Sequence, residues 1–223
     1  DLVFGMMFNQ RTNCIYRKMR EIVKSGQIGE IRRTSWIITD WFRPQYYYDS
    51  GDWRATWAGE GGGVLLNQCP HNLDLWQWIC GMPTKITARM HFGKWHDIEV
   101  EDDVTAYVEY ANGATGTFIT TTGDYPGTNR FEIVGDKGTV VCGKKSLKLF
   151  SLNVGIDEYN KTNRTVPFGH PEGEWVEVET DGENPQHSGI LNSFAGAILR
   201  GEPLIADGRE GIYGLTISNA MHL

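Results

Sequence analysis

Several features that mark other classes of protein are missing from this sequence of 223 residues. It has no cluster of lysine and arginine, and its formal net charge is −7, so it lacks the concentrated positive charge of a nucleic-acid groove. No apolar run approaches the roughly 20 residues that span a bilayer, and the first residues lack the basic-then-apolar order of a signal peptide. We therefore expect no nucleic-acid partner, no membrane segment and a cytoplasmic location.

Cysteine is scarce and widely spaced, with no C-x-x-C pair. This spacing excludes both a zinc knuckle and a dense disulfide framework, and it predicts reduced, mostly buried thiols at Cys14, Cys69, Cys80 and Cys142. Hydrophobic residues make up 40% of the chain and aromatic residues 12%, which is enough for a packed core. The length suits one large domain or two small ones.

The residues that are present alternate between extended and helical patterns. Residues 2–8 form an apolar run that predicts a buried strand. Residues 13–25 carry an apolar stripe and are followed by Gly26, which predicts an amphipathic helix. Residues 31–41 return to β-branched and aromatic composition, and residues 42–60 mix Pro, Asp, Gly, Tyr and Trp without a period, as expected of a long ordered loop.

Most of the remaining chain is predicted to form strands. Asn112-Gly113 separates two alternating runs, which predicts a hairpin because both residues tolerate positive φ. Together the elements predict one α+β domain over residues 1–223, with a large mainly antiparallel sheet, helices on one face and the other face free to pair with a second copy. The predicted strands are 104–110, 114–121, 131–134, 139–142, 147–152 and 175–179, and the predicted late helices are 187–200 and 209–223.

The glycine run at residues 61–63 begins the pattern that is closest to a functional site. If one helix covers residues 64–80, then Asn67, His71 and Asp74 project from one of its faces. The glycines allow the backbone to approach a ligand closely, and they leave the first amides of the helix free for hydrogen bonding. This arrangement suits a cleft for a small molecule.

His71 has two interpretations from the residues alone. A histidine has an ordinary pKa of about 6.5, so it can act as a general base near neutral pH, and a flanking polar group can fix its tautomer. That chemistry would suit removal of a hydroxyl proton. The alternative is a histidine that packs between helix and sheet with its hydrogen bonds satisfied. The spacing does not choose between the two.

The order of motifs along nearly the whole chain resembles one family. Gly61-Gly62-Gly63, Asn67, His71 and Asp74 resemble the G-G-G-x-x-x-D-x-x-x-H-x-x-D segment of the Gfo/Idh/MocA oxidoreductases. Further segments resemble the C-terminal domain of that family in the expected order: Phe8-Asn9-Gln10-Arg11, Ser25-Gly26-Gln27-Ile28-Gly29-Glu30-Ile31, Trp53-Arg54-Ala55-Thr56-Trp57, Glu101-Asp102-Asp103-Val104, Ala111-Asn112-Gly113 and Glu132-Ile133-Val134-Gly135-Asp136-Lys137-Gly138.

The resemblance implies an activity that this chain does not supply alone. Members of the family join an N-terminal Rossmann domain, which binds NAD or NADP and ends in a Glu-Lys-Pro motif with a catalytic lysine, to a C-terminal domain with the substrate pocket and the oligomer sheet. This sequence contains neither G-x-G-x-x-G nor Glu-Lys-Pro, so we expect the N-terminal domain to be absent and the isolated chain to be inactive in hydride transfer. The implied substrate is a sugar, a polyol or a derivative, oxidised at a secondary hydroxyl. The implied assembly is a homodimer or homotetramer formed through the sheet around residues 104–142.

The resemblance also implies the site residues. His71 would accept the proton of the substrate hydroxyl. Asn67 stands where many members have aspartate, and its carboxamide can orient a ligand but cannot supply the charge that stabilises an imidazolium. His71 and Asn67 are therefore the candidate catalytic residues. The candidate substrate-binding residues, for which surface ion pairing or core packing is the alternative, are Arg11, Arg54, Trp57, Asp74 and Thr122.

Two other functions stay open from the sequence. A metal-dependent hydrolase would use ligand-type side chains that crowd one short region, although their spacing fits no known metal motif: His91, His96, Glu99, Glu101, Asp102 and Asp103. A carbohydrate-binding module would stack sugars on the aromatic side chains of the long loop, which a dimer interface explains equally well: Tyr46, Tyr47, Tyr48 and Trp53.

Overall fold

Residues 2–223, which the computed structural model describes, form an eight-stranded sheet and six α-helices. Two 3-10 turns, Asn9–Thr12 and Gly208–Glu210, precede helices. The strands are β1 (Ile31–Ile38), β2 (Lys85–Phe92), β3 (Glu101–Glu109), β4 (Thr115–Thr121), β5 (Asn129–Gly135), β6 (Gly138–Cys142), β7 (Leu147–Leu152) and β8 (Gly173–Glu177). The helices are α1 (Cys14–Lys24), α2 (Gln45–Asp49), α3 (Pro70–Cys80), α4 (Ile156–Thr162), α5 (Gln186–Arg200) and α6 (Gly211–His222).

The sheet confirms the predicted fold class. Its strand order is β2-β3-β4-β1-β5-β6-β7-β8, and every neighbouring pair is antiparallel except β1 and β4. The predicted hairpin joins β3 to β4 with Glu109 opposite Thr115, and the amide of Gly113 closes the turn on the carbonyl of Tyr110 at 3.0 Å. The parallel pair arises because β1, which comes first in the chain, inserts between β4 and β5 and divides the two later hairpins.

One face of the sheet is packed and the other is open. Trp36, Phe118 and Phe131 point to the packed face and are fully buried, and the rings of Trp36 and Phe131 stack with centroids 4.3 Å apart. Helix α3 covers this face, since Trp76 stacks on Phe118 at 5.3 Å. Alternate residues point to the opposite face, where Tyr107 is exposed. The alternation is the expected signature of a sheet with one covered face.

Helix α1 forms where the apolar stripe predicts it. Asn13 caps its start by accepting a hydrogen bond from the amide of Ile15 at 2.9 Å, and Met19 and Ile22 are buried on its inner face. The chain leaves the helix at Gly26, whose φ of +75° lies in the left-handed region that favours glycine. A capped, amphipathic segment of this kind is specified locally, so its boundaries are predicted to within a residue or two.

Two local predictions are wrong. Residues 2–8 are not a buried strand: only Gly5 forms a bridge, with Asp207, and Leu2 is 98% exposed. Helix α3 begins at Pro70 instead of residue 64, because proline has no amide hydrogen to continue the ladder and disfavours helical geometry in the residue before it. Residues 64–69 make a separate turn, which ends with the amide of Cys69 bonded to the carbonyl of Val64.

The sequence pattern does not predict three elements: β2, α4 and the short helix α2, which lies within the predicted loop at 42–60. Strand β2 lies at the edge of the sheet and its side chains alternate between half-buried and exposed, so its apolar signal is weak. Helix α4 has no buried residue at all. All four cysteines are free. Within residues 2–223 no helix combines the length and the apolar character that crossing a bilayer requires.

Candidate functional site

The glycine run is fixed by a buried carboxylate. Glu101, at the start of β3, is fully buried, and its side chain accepts hydrogen bonds from the amides of Gly63 at 2.8 Å and Leu65 at 3.0 Å. His222 of α6 lies against the same carboxylate, with Nε2 at 3.3 Å. The prediction that these amides are free for a ligand is therefore wrong. A carboxylate that accepts backbone amides in this way holds the loop in one conformation.

Replacing Gly63 with alanine should destabilise the protein by about 2–3 kcal/mol, because the added Cβ would overlap the backbone carbonyl oxygen of Glu101 and overpacking of this kind strains the backbone. Urea denaturation measures the change. The matched control is Gly143→Ala, where the Cβ meets only the rotatable hydroxyl of Ser146 at 3.1 Å. Equal urea midpoints for Gly63→Ala and Gly143→Ala would show that the Glu101 carbonyl does not exclude a Cβ at residue 63.

His71 lies in the first turn of α3, next to an N-terminal aromatic ring. The ring of Phe8 meets it edge to face with centroids 6.3 Å apart. The Nδ1 atom of His71 is buried and has no hydrogen-bond partner among residues 2–223. Burial lowers the pKa of His71 below its ordinary value of 6.5, and the Asp74 carboxylate opposes that shift. The imidazole is consequently neutral at neutral pH, and within residues 2–223 no side chain or backbone group forms a hydrogen bond with it.

Arg11 and Asp74 form a buried ion pair inside the molecule. Arg11 is 1% exposed, and it donates from Nε to Asp74 Oδ2 at 2.8 Å and from Nη2 to Oδ1 at 2.6 Å. Its Nη1 donates to Glu210 at 2.7 Å. Burial raises the pKa of Asp74, and the hydrogen bonds from Arg11 and Gln77 act in the opposite direction. These contacts join the 3-10 turn at 9–12, α3 and the start of α6, so the structure places both residues beneath His71, away from solvent.

Asn67 belongs to a half-buried polar cluster with Arg54. The hydroxyl of Tyr47 donates to Asn67 Oδ1 at 3.2 Å and accepts from Arg54 Nη1 at 2.9 Å. The Asn67 amide donates to Glu60, whose other carboxylate oxygen accepts the amide of Ala55 at 2.8 Å. The cluster thus links the long loop to the turn that leads into α3. Tyr47 and Glu60 were not among the predicted site residues, and only the run of three tyrosines drew attention to the first.

The Arg54 guanidinium lies between two aromatic rings. It is 4.5 Å from the ring centroid of Tyr47 and 4.4 Å from that of Trp53. The next residue, Ala55, has φ of +52°, which is unusual for a residue with a Cβ, and the hydrogen bond from its amide to Glu60 holds it there. The Arg54 side chain is therefore held in place by its two aromatic neighbours and by the strained, buried backbone of Ala55 next to it.

The remaining two predicted residues, Trp57 and Thr122, differ in their exposure to solvent. Trp57 is 47% exposed at the rim of the loop, and its ring meets that of His222 edge to face at 5.9 Å. Thr122 is fully buried and accepts a hydrogen bond from the Tyr48 hydroxyl at 2.9 Å. Burial raises the pKa of Tyr48 to about 12, so this hydroxyl stays protonated as a donor. Thr122 thus anchors the loop from inside, whereas Trp57 is accessible.

The acidic and histidine side chains at 91–103 hold a loop in place, and they do not converge on one point. Asp102 is fully buried and accepts the amides of Lys94, Trp95 and His96, and the His96 ring lies between Asp102 at 3.0 Å and the carbonyl of Arg43 at 2.8 Å. Glu101 is occupied by the glycine run, as described above. Within residues 2–223, no group of three such side chains is arranged to hold a metal ion.

Comparison with known proteins matches the chain to one family model and to two relatives. The model of the GFO/IDH/MocA C-terminal domain matches residues 16–141. The chain is 24% identical over 208 residues to levoglucosan dehydrogenase of Pseudarthrobacter phenanthrenivorans, covering 78% of this chain and 51% of that protein. It is 26% identical over 155 residues to an uncharacterized protein of Sinorhizobium fredii, covering 67% of this chain and 42% of that protein. The chain therefore spans about half the length of these relatives.

Among solved structures, the chain is similar to the WlbA dehydrogenase from Chromobacterium violaceum, which was crystallised with NADH and UDP-GlcNAcA. The TM-score is 0.77 at 27% identity, and the match covers 98% of this chain and 59% of that one. A levoglucosan dehydrogenase in complex with NADH and levoglucosan matches with a TM-score of 0.74 at 18% identity, over 98% of this chain and 63% of that one. Because the second match has only 18% identity, it supports the fold and nothing further.

Proposed function

Because the chain belongs to the GFO/IDH/MocA C-terminal domain family, we propose that residues 1–223 are the substrate-binding and oligomerisation domain of an NAD- or NADP-dependent oxidoreductase. The substrate would be a sugar, a polyol or a derivative, oxidised at a secondary hydroxyl. One observation carries the proposal: His71 is a half-buried, neutral imidazole whose buried Nδ1 has no partner within residues 2–223.

The chemistry that this chain supplies is the proton transfer. A neutral imidazole accepts the hydroxyl proton of a bound alcohol as the C–H bond opens, and its lowered pKa keeps it in the accepting form. Asn67 and Arg54, joined through Tyr47, would contact polar groups of the substrate, and Trp57 would border it. Arg11, Asp74 and Thr122 would support these residues from the interior without touching the substrate.

The glycine run does not fit the pyrophosphate of a dinucleotide. The amides of Gly63 and Leu65 donate to Glu101 and that of Gly61 donates to the carbonyl of Thr56, and the Glu101 carboxylate would repel a phosphate. The nicotinamide cofactor would therefore be bound mainly by a second domain, and when bound it accepts the hydride. The isolated chain is expected to be inactive. The WlbA relative, solved with NADH and a nucleotide sugar, supports both the cofactor and the substrate class.

An apolar surface offers the place for that second domain. Met7 is 43% exposed and Leu191 of α5 is 56% exposed, and they line one groove of about 210 Å³ together with Met6 and Phe194. Further exposed apolar side chains lie on the N-terminal segment, on α5 and on α6: Phe4, Ile198, Leu199, Ile212 and Leu215. Large apolar patches of this kind usually mark an interface. The relative's extra length supports a nucleotide-binding domain as its occupant.

The open face of the sheet is the proposed oligomer interface. Ile37 of β1 and Ile119 of β4 are register partners on that face, and neither is fully buried. Ile119→Asp should convert a dimer or tetramer into smaller species, because burying an unpaired carboxylate is unfavourable. Light scattering at micromolar concentration measures the mass, with Val166→Asp, on an exposed loop, as the matched control. A monomeric wild-type protein would contradict this interface.

The proposed function is tested by assaying the purified intact protein for reduction of NAD⁺ and NADP⁺ against a panel of sugars and polyols. Turnover of at least one secondary alcohol with one cofactor is expected. Tight binding of glycans to the isolated chain, without turnover of any panel member by the intact protein, would instead identify a carbohydrate-binding module and overturn the proposal.

A further inference from the structure

We propose that Arg54 recognises an anionic oxygen group, a carboxylate or a phosphate, on the substrate of this site. This inference rests on the proposed function, since it names the class of sugar that the site takes. It assigns Arg54 a ligand-binding role and makes the substrate an acidic sugar or a sugar phosphate instead of a neutral one.

Most N–H groups of the Arg54 guanidinium have no hydrogen-bond partner within residues 2–223. Only its Nη1 atom is used, as the donor to Tyr47, and no carboxylate of residues 2–223 forms a salt bridge with it. The rings of Tyr47 and Trp53, with centroids 4.5 Å and 4.4 Å from the guanidinium carbon, restrict where the guanidinium can lie. The remaining N–H groups match the two oxygens of a carboxylate or phosphate, which is the geometry that arginine binds best.

A second arginine lies near the same tyrosine. Arg43 is 5.1 Å from the Tyr47 ring centroid; its Nη1 donates to the carbonyls of Trp41 and Phe42, and it forms no salt bridge among residues 2–223. The nearby acids are engaged elsewhere, since Glu60 accepts from Asn67 and Ala55 and Asp49 accepts from Gln45. Within residues 2–223 the two arginines have no salt-bridge partner, so the free N–H groups of Arg54 are open to an anionic group of a ligand.

Arg54 differs in exposure and in location from the arginines that form surface ion pairs. Arg17 pairs with Asp181, Arg33 with Glu132 and Arg200 with Glu202, and all three are ordinary surface ion pairs. Arg54 is less exposed than these and shares the cluster that contains Asn67, four residues before His71. Its location next to the candidate catalytic segment, and not its charge alone, assigns it to substrate recognition.

The test is a calorimetric titration of the intact protein with D-glucuronate, D-glucose 6-phosphate and D-glucose. The wild type should bind one of the two acids at least tenfold more tightly than glucose, and the better acid identifies carboxylate or phosphate recognition. Arg54→Gln should bring all three affinities within about twofold of one another, and Arg54→Lys should retain part of the preference. The matched control is Arg164→Gln, which removes an exposed arginine from the segment after α4, away from the sheet, and should leave the preference unchanged.

The outcomes separate this inference from the proposed function. If glucose binds as tightly as both acids, if neither acid binds, or if Arg54→Gln keeps the preference, Arg54 does not recognise an anion, even where the protein oxidises neutral sugars. If Arg54-dependent binding of an acid is measured but no sugar or acid reduces NAD⁺ or NADP⁺, the anion site stands and the oxidoreductase proposal falls.

Discussion

Replacing His71 with asparagine should lower turnover of the intact enzyme at least tenfold, and on the order of a hundredfold if His71 is the sole base, while cofactor binding stays nearly unchanged. Asparagine keeps a polar side chain of similar size but cannot accept the hydroxyl proton. The measurement is the steady-state rate with the substrate found in the panel assay, together with a titration of the cofactor.

The pH dependence of that rate gives a second, independent readout. Burial lowers the pKa of His71 below 6.5, so the neutral base persists as the pH falls to that value and is lost only below it. The wild-type rate should therefore decline on the acid side below about pH 6.5, and the residual rate of His71→Asn should not show this decline. The same sign applies to stability: a buried histidine that resists protonation stabilises the fold above pH 6.5 and less as the pH drops further.

A distant histidine provides the matched control for this variant. His170 is exposed on the loop before β8, and His170→Asn should retain full turnover. Wild-type turnover in His71→Asn, or a tenfold loss in His170→Asn as well, would remove His71 from the mechanism.

Replacing Asp74 with asparagine should cost about 3 kcal/mol of unfolding free energy, the largest stability effect expected for a single polar substitution in this chain. Arg11 is fully buried, so loss of its bidentate partner leaves a charge that only Glu210 still faces. Removing one member of a buried ion pair typically costs 3–5 kcal/mol, because the remaining charge is desolvated without compensation. Urea denaturation of the wild type and the variant gives the difference.

The exposed pair Arg17–Asp181 supplies the comparison. Its side chains are 43% and 53% exposed, and Asp181→Asn removes the same chemical group in a place where water replaces the lost partner. We expect a change of less than about 1 kcal/mol there. A similarly small loss for Asp74→Asn would show that the Arg11 contacts do not hold the 3-10 turn, α3 and α6 together.

Both predictions concern helix α3, the first at His71 and the second at Asp74. Asp74 follows His71 by about one turn of α3 and binds Arg11, so the ion pair ties this turn of the helix to the 3-10 turn at 9–12. Glu101 holds the preceding glycine run from the side of the sheet. Asp74→Asn is therefore expected to reduce turnover through the position of His71, whereas His71→Asn removes the base itself and leaves stability largely unchanged.

Local patterns predicted the parts of this fold that depend on neighbours in the chain. The hairpin around Asn112-Gly113 and the helix capped by Asn13 follow from turn geometry and capping, which act over a few residues. Residues 2–8 show the limit of such reasoning. Their apolar character is real, but the partner they pack against is α5, near Phe194, and no feature of the run itself indicates a helix surface instead of a sheet.

The sequence by itself determined the fold class, the family and the choice of His71, Asn67 and Arg54, because motif order and residue type carry that information. Only the tertiary structure decided which polar residues face solvent. Arg11, Asp74 and Thr122 read as site residues from their segments, yet they are buried, since contacts between residues far apart in the chain enclose them. The same long-range contacts give the amide of Gly63 to Glu101, 38 residues away, and leave Arg54 with Tyr47 as its one hydrogen-bond acceptor and without a salt bridge within residues 2–223.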